Sequence, residues 1–167
     1  MEGASQNQGR KEEKRKMEKF RVLLVDDEQE FVQSLAERLS MRELGSNTAY
    51  NGEQALSFVS QQEPDVMLLD LKMPGMDGME VLRQVKKSYP AIQVIILTGH
   101  GNKQHEDEAR RLGAFDYMEK PVDIDMLVSS MKAAYKQTIE KTMTAAAFAE
   151  AGEFDTARDL IQKRGEE

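Results

Sequence analysis

Four short apolar runs, each ending in polar residues, constrain the fold of this chain more than any other feature. They read RVLLVDD from Arg21, DVMLLD from Asp65, QVIILTG from Gln93 and AFDYMEKP from Ala114. Continuous Val, Ile and Leu runs are typical of strands buried on both faces of a parallel sheet, and the segments between them have the apolar spacing of helices. Gly45 and Gly113 are expected to close two of these helices. The alternation of strand-like runs with helical segments predicts a doubly wound α/β sheet with right-handed crossovers. A more polar fifth strand, predicted over 47–50, is expected at an edge.

The polar residues at the ends of these runs form a candidate site. Asp26 and Asp27 end the first run, Asp70 ends the second, Thr98 lies near the end of the third, and Lys120 lies near the end of the fourth. Ligands of open α/β sheets bind outside the carboxyl ends of the strands, where these side chains are expected to meet. Three carboxylates, a hydroxyl and an ammonium group at one point predict a site for a divalent cation and a phosphoryl group.

The same residues suit the phosphorylation of a carboxylate. That reaction brings an anionic nucleophile against an anionic donor, so the charge must first be neutralised. Mg²⁺ is usually held by one or two carboxylates together with waters and phosphate oxygens. Lys120 adds a second positive charge and is expected to pair with Asp70 before the reaction and with a phosphate oxygen after it. Thr98 supplies a hydroxyl that can donate to the phosphoryl group.

Residues 19–136 resemble the receiver domain of bacterial two-component response regulators. The motifs that carry the resemblance are the pair Asp26–Asp27, the run LLDLKMPGMDG around Asp70, the pair Thr98–Gly99, Tyr117, and Lys120–Pro121. The resemblance implies a flavodoxin-like, five-stranded parallel sheet in the order 2-1-3-4-5, followed here by a C-terminal α-helical extension.

The resemblance also implies roles for the metal and acceptor residues. Asp70 matches the phosphoacceptor. Asp27 matches a direct Mg²⁺ ligand and Asp26 an assisting ligand, often through water. The backbone carbonyl of Lys72 would complete the ligands that the protein gives to the metal.

Other matches concern the conformational response to the phosphate and the lifetime of the phosphate. Thr98 and Tyr117 match the pair that switches conformation in receivers, and the Lys120–Pro121 bond matches one that is usually cis in the family. Lys72 and His100 occupy positions that flank the path of the attacking water in receivers. Because neither is a carboxylate or an amide that would orient this water, a slowly hydrolysing phosphoprotein is expected.

The chain is expected to have three parts: a disordered arm (1–18), the receiver domain (19–136) and a helical extension (137–167). The arm is polar and charged, with almost nothing apolar to bury. Met17 stands just before the first apolar run, so residues 1–16 can also be interpreted as the product of an upstream start codon.

The extension is predicted to act through contact with protein. No glycine or proline lies between Asp123 and Ala151, so the last receiver helix is expected to continue until Gly152 ends it. An apolar stripe is expected along one face of this helix, formed by Leu127, Met131, Ile139, Met143 and Ala146. The stretch AAAFAEAGEFDTARDLI resembles the central turn of a tetratricopeptide-type hairpin, which needs about three copies to bury its apolar face. It must therefore dock on its own receiver, pair with a second copy in a homodimer, or bind a downstream protein. With four basic and seven acidic residues over 137–167, it is too short and acidic for a helix-turn-helix DNA reader.

Composition narrows the class of protein. A net charge of −7 argues against a chain built mainly to bind nucleic acid. The absence of cysteine excludes disulfides and thiolate chemistry. No apolar run approaches the roughly 20 residues that span a bilayer. The expectation is a cytoplasmic, non-enzymatic phosphoacceptor that binds neither nucleic acid nor membrane. Its expected phosphodonor is a sensor histidine kinase or a phosphotransfer protein.

Three rival functions would require other residues at these positions. An aspartyl-phosphate phosphatase would use a second acid two residues after its nucleophile, where this chain has Lys72. A flavin-binding electron carrier would need a phosphate loop after the first strand, where Asp26 and Asp27 would repel phosphate. A degenerate receiver would be a phosphorylation-independent scaffold or dimerisation module acting through its helical tail, and the intact set of site residues disfavours it.

Overall fold

Five strands form one parallel sheet in the computed structural model, which describes residues 6–12 and 19–162. The strands are β1 (Val22–Val25), β2 (Ser46–Ala49), β3 (Val66–Leu69), β4 (Gln93–Thr98) and β5 (Asp116–Glu119). Their order is β2-β1-β3-β4-β5, and every neighbouring pair is parallel. The flavodoxin-like sheet is confirmed, with the polar strand β2 at one edge.

Helices flank the sheet and continue the chain beyond it: α1 (Gln29–Ser40), α2 (Gly52–Gln61), α3 (Gly78–Ser88), α4 (Lys103–Arg111), α5 (Ile124–Glu150) and α6 (Phe154–Gln162). Helices α2 to α5 each begin after an Asn or Asp whose side chain accepts a hydrogen bond from a backbone N–H in the first turn, namely Asn51, Asp77, Asn102 and Asp123. These caps satisfy donors that the first turn leaves unpaired. They fix where each helix begins and where the loop before it ends.

Two apolar layers cover the sheet because side chains alternate between its faces. On β1, Leu23 and Val25 face a core shared with α2, α3 and α4, whereas Val22 and Leu24 face a core shared with α1 and α5. Strands β1, β3 and β4 are buried along their whole length. Burial on both faces explains why the sequence of these strands is apolar except at Gln93 and Thr98, the two ends of β4.

Helix α1 ends differently from the expectation that Gly45 closes it. Its last residue is Ser40, Glu43 adopts a positive φ of 60°, and the N–H of Leu44 donates to the carbonyl of Leu39 at 3.0 Å. This turn places Leu44 in the core at 1% exposure. Burial of Leu44, rather than the glycine after it, decides how the helix ends.

The end of α4 and the bond after β5 follow the expectations. Gly113 follows α4 in the left-handed conformation, at φ 101°, which suits a glycine at a helix C-terminus. The Lys120–Pro121 peptide bond is cis.

Helix α5 runs without interruption from the receiver into the extension, as predicted, and Gly152 follows its end at φ 81°. Helix α6 turns back and packs against α5, and Ala145 of α5 and Ala157 of α6 are both buried. Small residues at these positions let the two helices approach closely. The likeness of this pair to a tetratricopeptide-type hairpin stays a prediction.

The apolar stripe expected along α5 does not remain buried. Leu127 and Met131 are fully buried, but Met143 is 62% exposed. Four residues of an α-helix turn about 40° more than one full turn. A stripe with this spacing therefore rotates away from the receiver along the helix.

The N-terminal arm is described only in part. Residues 6–12 are helical, with every side chain exposed, where a disordered arm is expected. The rest of the arm lies outside the described residues. The division into 1–18, 19–136 and 137–167 therefore stays a prediction.

Candidate metal and phosphate site

Backbone hydrogen bonds continue past the strand ends and bring the site residues to one level. The N–H of Asp70 donates to the carbonyl of Val25 at 2.9 Å, and the N–H of Lys120 donates to the carbonyl of Thr98 at 2.9 Å. Asp26 follows β1 directly, beside Asp70 after β3. The parallel sheet thus holds these side chains together at its carboxyl edge.

Three carboxylates meet there. Asp26, Asp27 and Asp70 each offer one oxygen, and the three oxygens lie within 4.8 Å of one another. Asp26 and Asp70 are both 4% exposed, whereas Asp27 is accessible to solvent. Negative oxygens this close repel one another unless a cation lies between them, and hard oxygen donors suit Mg²⁺. The residues present fit a divalent-cation site that is open on one side.

Burial disfavours the charged forms of the two inner carboxyl groups. Loss of solvation raises the pKa of Asp70, and the charge of Asp26 raises it further, while Lys120, the Thr98 hydroxyl and the Lys72 N–H offset part of this effect. Burial likewise raises the pKa of Asp26, although the hydrogen bond from Lys120 lowers it in part. A bound cation favours ionised carboxylates, so metal binding and ionisation are linked at this site.

Lys120 contacts Asp26, so the expectation that it pairs with Asp70 before the reaction is wrong for this structure. Its Nζ donates to Asp26 Oδ2 at 2.5 Å and lies 3.8 Å from Glu28 Oε1. The same Nζ lies 4.1 Å from the centroid of the Phe31 ring. All three groups follow β1, and together they hold the ammonium on that side of the site. Its charge still lowers the pKa of Asp70.

Tyr117 is turned inward over the loop that follows β4. Thr98 is fully buried, and its Oγ1 accepts a hydrogen bond from the N–H of His100 at 3.3 Å. The Tyr117 hydroxyl is buried without a hydrogen-bond partner among the described residues. Burial raises the pKa of Tyr117, and the backbone N–H of Asn102 offsets part of this rise. A Cβ on Gly101 would lie 1.9 Å from Tyr117 Oη, so this glycine leaves the space that the inward side chain occupies.

Lys72 and His100 lie beside the site with exposed side chains. The N–H of Lys72 lowers the pKa of Asp70, and the N–H of His100 bonds Thr98. Their backbones are therefore tied to the acceptor and to the buried hydroxyl. The metal-binding role of the Lys72 carbonyl stays a prediction.

Gly78, which the sequence did not single out, sets the distance between helix α3 and the acceptor loop. Its N–H donates to the carbonyl of Leu71 at 2.9 Å. A Cβ at this position would lie 2.1 Å from the carbonyl oxygen of Asp70 and 2.6 Å from Leu71 Cα. Because these are backbone atoms, only glycine lets the helix approach the loop this closely.

We expect Gly78→Ala to lower the free energy of unfolding by about 1–3 kcal/mol, the usual cost of added atoms in a packed region. The backbone beside Asp70 must move to accept the methyl group. Thermal unfolding measures the effect, at about 2–4 °C of Tm for each kcal/mol in a chain of this size. Gly45→Ala is the matched control, since a Cβ there meets nothing within 4 Å. Equal Tm values for the two variants would contradict this role of Gly78.

Comparisons with known proteins identify the class to which this fold and site belong. The family described as "Response regulator receiver domain" matches residues 22–132. Sporulation initiation phosphotransferase F of Bacillus subtilis (strain 168) is 38% identical over 112 residues, covering 67% of this chain and 90% of that protein. The DNA-binding transcriptional regulator NtrC of Salmonella typhimurium is 38% identical over 118 residues, covering 71% of this chain and 25% of NtrC. The chain thus spans about a quarter of the length of NtrC.

Solved structures agree with this assignment. The receiver domain protein from Clostridium thermocellum superimposes with a TM-score of 0.67 at 34% identity, covering 70% of this chain and 94% of that one. NtrX from Brucella abortus superimposes with a TM-score of 0.73 at 28% identity, covering 80% of this chain and 30% of that one. The chain belongs to the response regulator receiver domain family. Members of this family are regulatory phosphoacceptors that bind Mg²⁺ through acidic residues. None of the described helices is long and apolar enough to cross a membrane.

Proposed function

We propose that this chain is a Mg²⁺-dependent phosphoacceptor of a two-component pathway and that Asp70 receives the phosphoryl group. The observation that carries the proposal is the meeting of three carboxylate oxygens within 4.8 Å, with Lys120 Nζ 2.5 Å from Asp26 Oδ2. Asp26, Asp27 and the Lys72 carbonyl would hold the metal together with Asp70. Mg²⁺ bound there would neutralise the carboxylates and the charge of the donor.

The side chains of the site divide the work of the transfer. A carboxylate oxygen of Asp70 attacks the phosphorus, and the donor group leaves with the electron pair of the broken bond. Lys120 moves its ammonium from Asp26 to a phosphate oxygen, and the Thr98 hydroxyl donates to another. The product is a mixed anhydride, which water can hydrolyse, so the signal is temporary.

We propose that Thr98 and Tyr117 convert the phosphate into a change of surface. Thr98 stands between the acceptor and the loop on which Tyr117 packs, so movement of its hydroxyl toward the phosphate shifts the contacts of this loop. A ligand changes a conformational equilibrium only by contacting its two states unequally. The Thr98 hydroxyl supplies this difference, because on moving toward the phosphate it gives up the hydrogen bond that it accepts here from the His100 N–H.

The partners follow from this chemistry. A sensor histidine kinase or a phosphotransfer protein in the cytoplasm supplies the phosphoryl group, as is usual for the family. The output is contact with a downstream protein through the receiver and its helical extension.

A second candidate function is a phosphorylation-independent scaffold or dimerisation module. The exposure of Phe154 (64%) and Ile161 (49%) on α6 favours it, since exposed apolar patches on a protein surface mark contact sites for other proteins. Light scattering of the chain before and after phosphorylation separates the two functions. A change in size or partner binding that requires phosphate supports the response regulator, and a size that is the same in both states supports the scaffold.

Phosphate incorporation is the direct test of the proposed function. We expect stoichiometric labelling by acetyl phosphate in the presence of Mg²⁺ and none after chelation, read by intact-protein mass spectrometry. Absence of label under saturating Mg²⁺ and donor would contradict the proposal.

Lys72→Asn is expected to shorten the half-life of the phosphoprotein about twofold to fivefold. Lys72 is a cation that can pair with the phosphate and cover it, whereas Asn can orient water. An exposed ion pair contributes up to about 1 kcal/mol, which corresponds to such a factor in rate. Loss of label after removal of the donor measures the effect, with Lys87→Asn as an exposed control on α3. A half-life that stays the same or lengthens in Lys72→Asn would show that Lys72 does not shield the site.

A further inference from the structure

We propose that Phe31 is a positioning residue for Lys120, whose ammonium group its ring holds in the site while the anionic partner of Lys120 changes. This inference rests on the proposed phosphoacceptor function. Phe31 belongs to the first turn of α1 and is not one of the residues that the family resemblance singles out. The contact that carries the inference is the 4.1 Å distance from Lys120 Nζ to the ring centroid.

Three groups of this chain fix the position of the ammonium, and they differ in kind. Asp26 Oδ2 accepts its hydrogen bond at 2.5 Å, Glu28 Oε1 lies at 3.8 Å, and the Phe31 ring lies at 4.1 Å. The Lys120 side chain is only 11% exposed, so little water competes with these contacts. An aromatic ring attracts a cation through its quadrupole, most strongly where water is excluded.

The ring is the contact that phosphotransfer leaves intact. Asp26 is also a candidate metal ligand, and a carboxylate shared with a metal cannot remain the sole anchor of Lys120. Phe31 carries no charge and binds no metal, so it competes neither with Asp26 nor with the phosphate. It retains the ammonium beside the site while leaving the N–H groups of Lys120 available to a phosphate oxygen.

The surroundings of Phe31 strengthen this effect. Its ring lines a small cavity beneath the site together with Asp26, Asp70 and the apolar side chains of Leu35 and Leu97. Apolar walls of this kind lower the local dielectric, and electrostatic contacts become stronger there than in water.

Two substitutions separate the aromatic ring from its apolar volume. Phe31→Leu keeps an apolar side chain without a π face, and Phe31→Tyr keeps the ring. With saturating Mg²⁺ and acetyl phosphate, we expect labelling to slow about fivefold to tenfold in Phe31→Leu, because an ammonium group that the ring no longer holds must be brought into position during the transfer. Phe31→Tyr is expected to remain close to wild type. Phe58→Leu is the matched control, because Phe58 is a partly buried helical phenylalanine packed on the opposite core.

A double-mutant cycle tests whether Phe31 acts through Lys120. We expect Phe31→Leu to slow labelling no further in a Lys120→Gln background. An undiminished effect in that background, or a Phe31→Tyr variant as slow as Phe31→Leu, would overturn the proposal.

NMR supplies a readout that does not depend on labelling. The ring current of Phe31 should shift the Lys120 Cε proton resonances upfield, and this shift should disappear in Phe31→Leu and persist in Phe58→Leu. Lys120 shifts that are the same in Phe31→Leu and wild type would overturn the proposal. If wild type takes no label, the proposed function fails, whereas the NMR result still decides whether Phe31 holds Lys120.

Discussion

Replacement of Asp70 by Asn is expected to reduce labelling by acetyl phosphate to background while making the fold more stable. The amide has nearly the shape of the carboxylate, but it cannot form an acyl phosphate. The substitution also removes a buried negative charge, since Asp70 is only 4% exposed. We expect Tm to rise by about 2–4 °C in metal-free buffer, which is about 1 kcal/mol for a chain of this size.

The gain in stability is expected to depend on pH. Burial, and then the charge of Asp26, raises the pKa of Asp70 above its ordinary value of 3.8. The unfolded chain therefore loses this proton at a lower pH than the folded chain does. The free energy of unfolding of wild type should fall as pH rises from about 3.8 through the raised pKa, and Asn removes this decline. The advantage of Asp70→Asn is thus absent below this window and complete above it.

Asp77→Asn is the control for this experiment. Asp77 lies in the same loop, is exposed and caps α3, and Asn is an equally good N-cap. We expect wild-type labelling and Tm for this variant. Labelling of Asp70→Asn at the wild-type level would refute the assignment of the acceptor, and a lower Tm in Asp70→Asn would refute the account of its burial.

Asp27→Ala is expected to weaken Mg²⁺ binding by at least roughly tenfold. Removal of groups that only support a metal ligand costs tenfold to a hundredfold in affinity, and Asp27 is proposed to contact the metal directly. Isothermal titration of Mg²⁺ measures the loss. Thermal unfolding provides a second readout, because a ligand that binds only the folded chain stabilises it by an amount that grows with the logarithm of the ligand concentration divided by Kd.

Glu28→Ala is the matched control for the metal site. Glu28 is an exposed acid next to Asp27, but it lies outside the cluster of three oxygens. We expect it to keep most of the Mg²⁺ affinity. Asp26→Ala is expected to lose less affinity than Asp27→Ala. Wild-type affinity in Asp27→Ala would contradict the proposed ligand set.

Much of the fold could be predicted from the sequence because burial on both faces leaves a plain signal. Strands β1 and β3 are apolar throughout and β4 is apolar between Gln93 and Thr98, and the polarity of β2 marked it as an edge strand. The end of α1 could not be predicted in this way, because it depends on the burial of Leu44 by residues distant in the chain. The exposure of Met143 was missed because spacing alone does not say where the receiver surface stops beside α5.

The candidate site could be predicted as a set of residues but not as a set of contacts. Parallel strands bring their carboxyl ends together, so the meeting of Asp26, Asp27 and Asp70 followed from their positions. Whether Lys120 contacts Asp26 or Asp70 depends on side-chain directions and on the Phe31 ring. Gly78 and Gly101 could not be singled out, because a glycine that admits a neighbouring backbone or ring looks in sequence like any other loop glycine.

The uninterrupted α5 makes the extension a lever. The buried Gln93, at the start of β4, donates from Nε2 to Thr138 Oγ1 at 3.1 Å. This hydrogen bond attaches the helix to the sheet at the amino end of β4. Beyond it, α5 continues to Glu150 with α6 packed on its side. At 1.5 Å per residue this outer arm is about 18 Å long, so a tilt of about 10° within the receiver displaces its tip by about 3 Å. Because α5 contains no glycine or proline to absorb it, such a tilt carries α6 with it. The displacement is large at the exposed Phe154 near the tip and small at Ile161, whose carbonyl accepts a hydrogen bond from Lys141 Nζ.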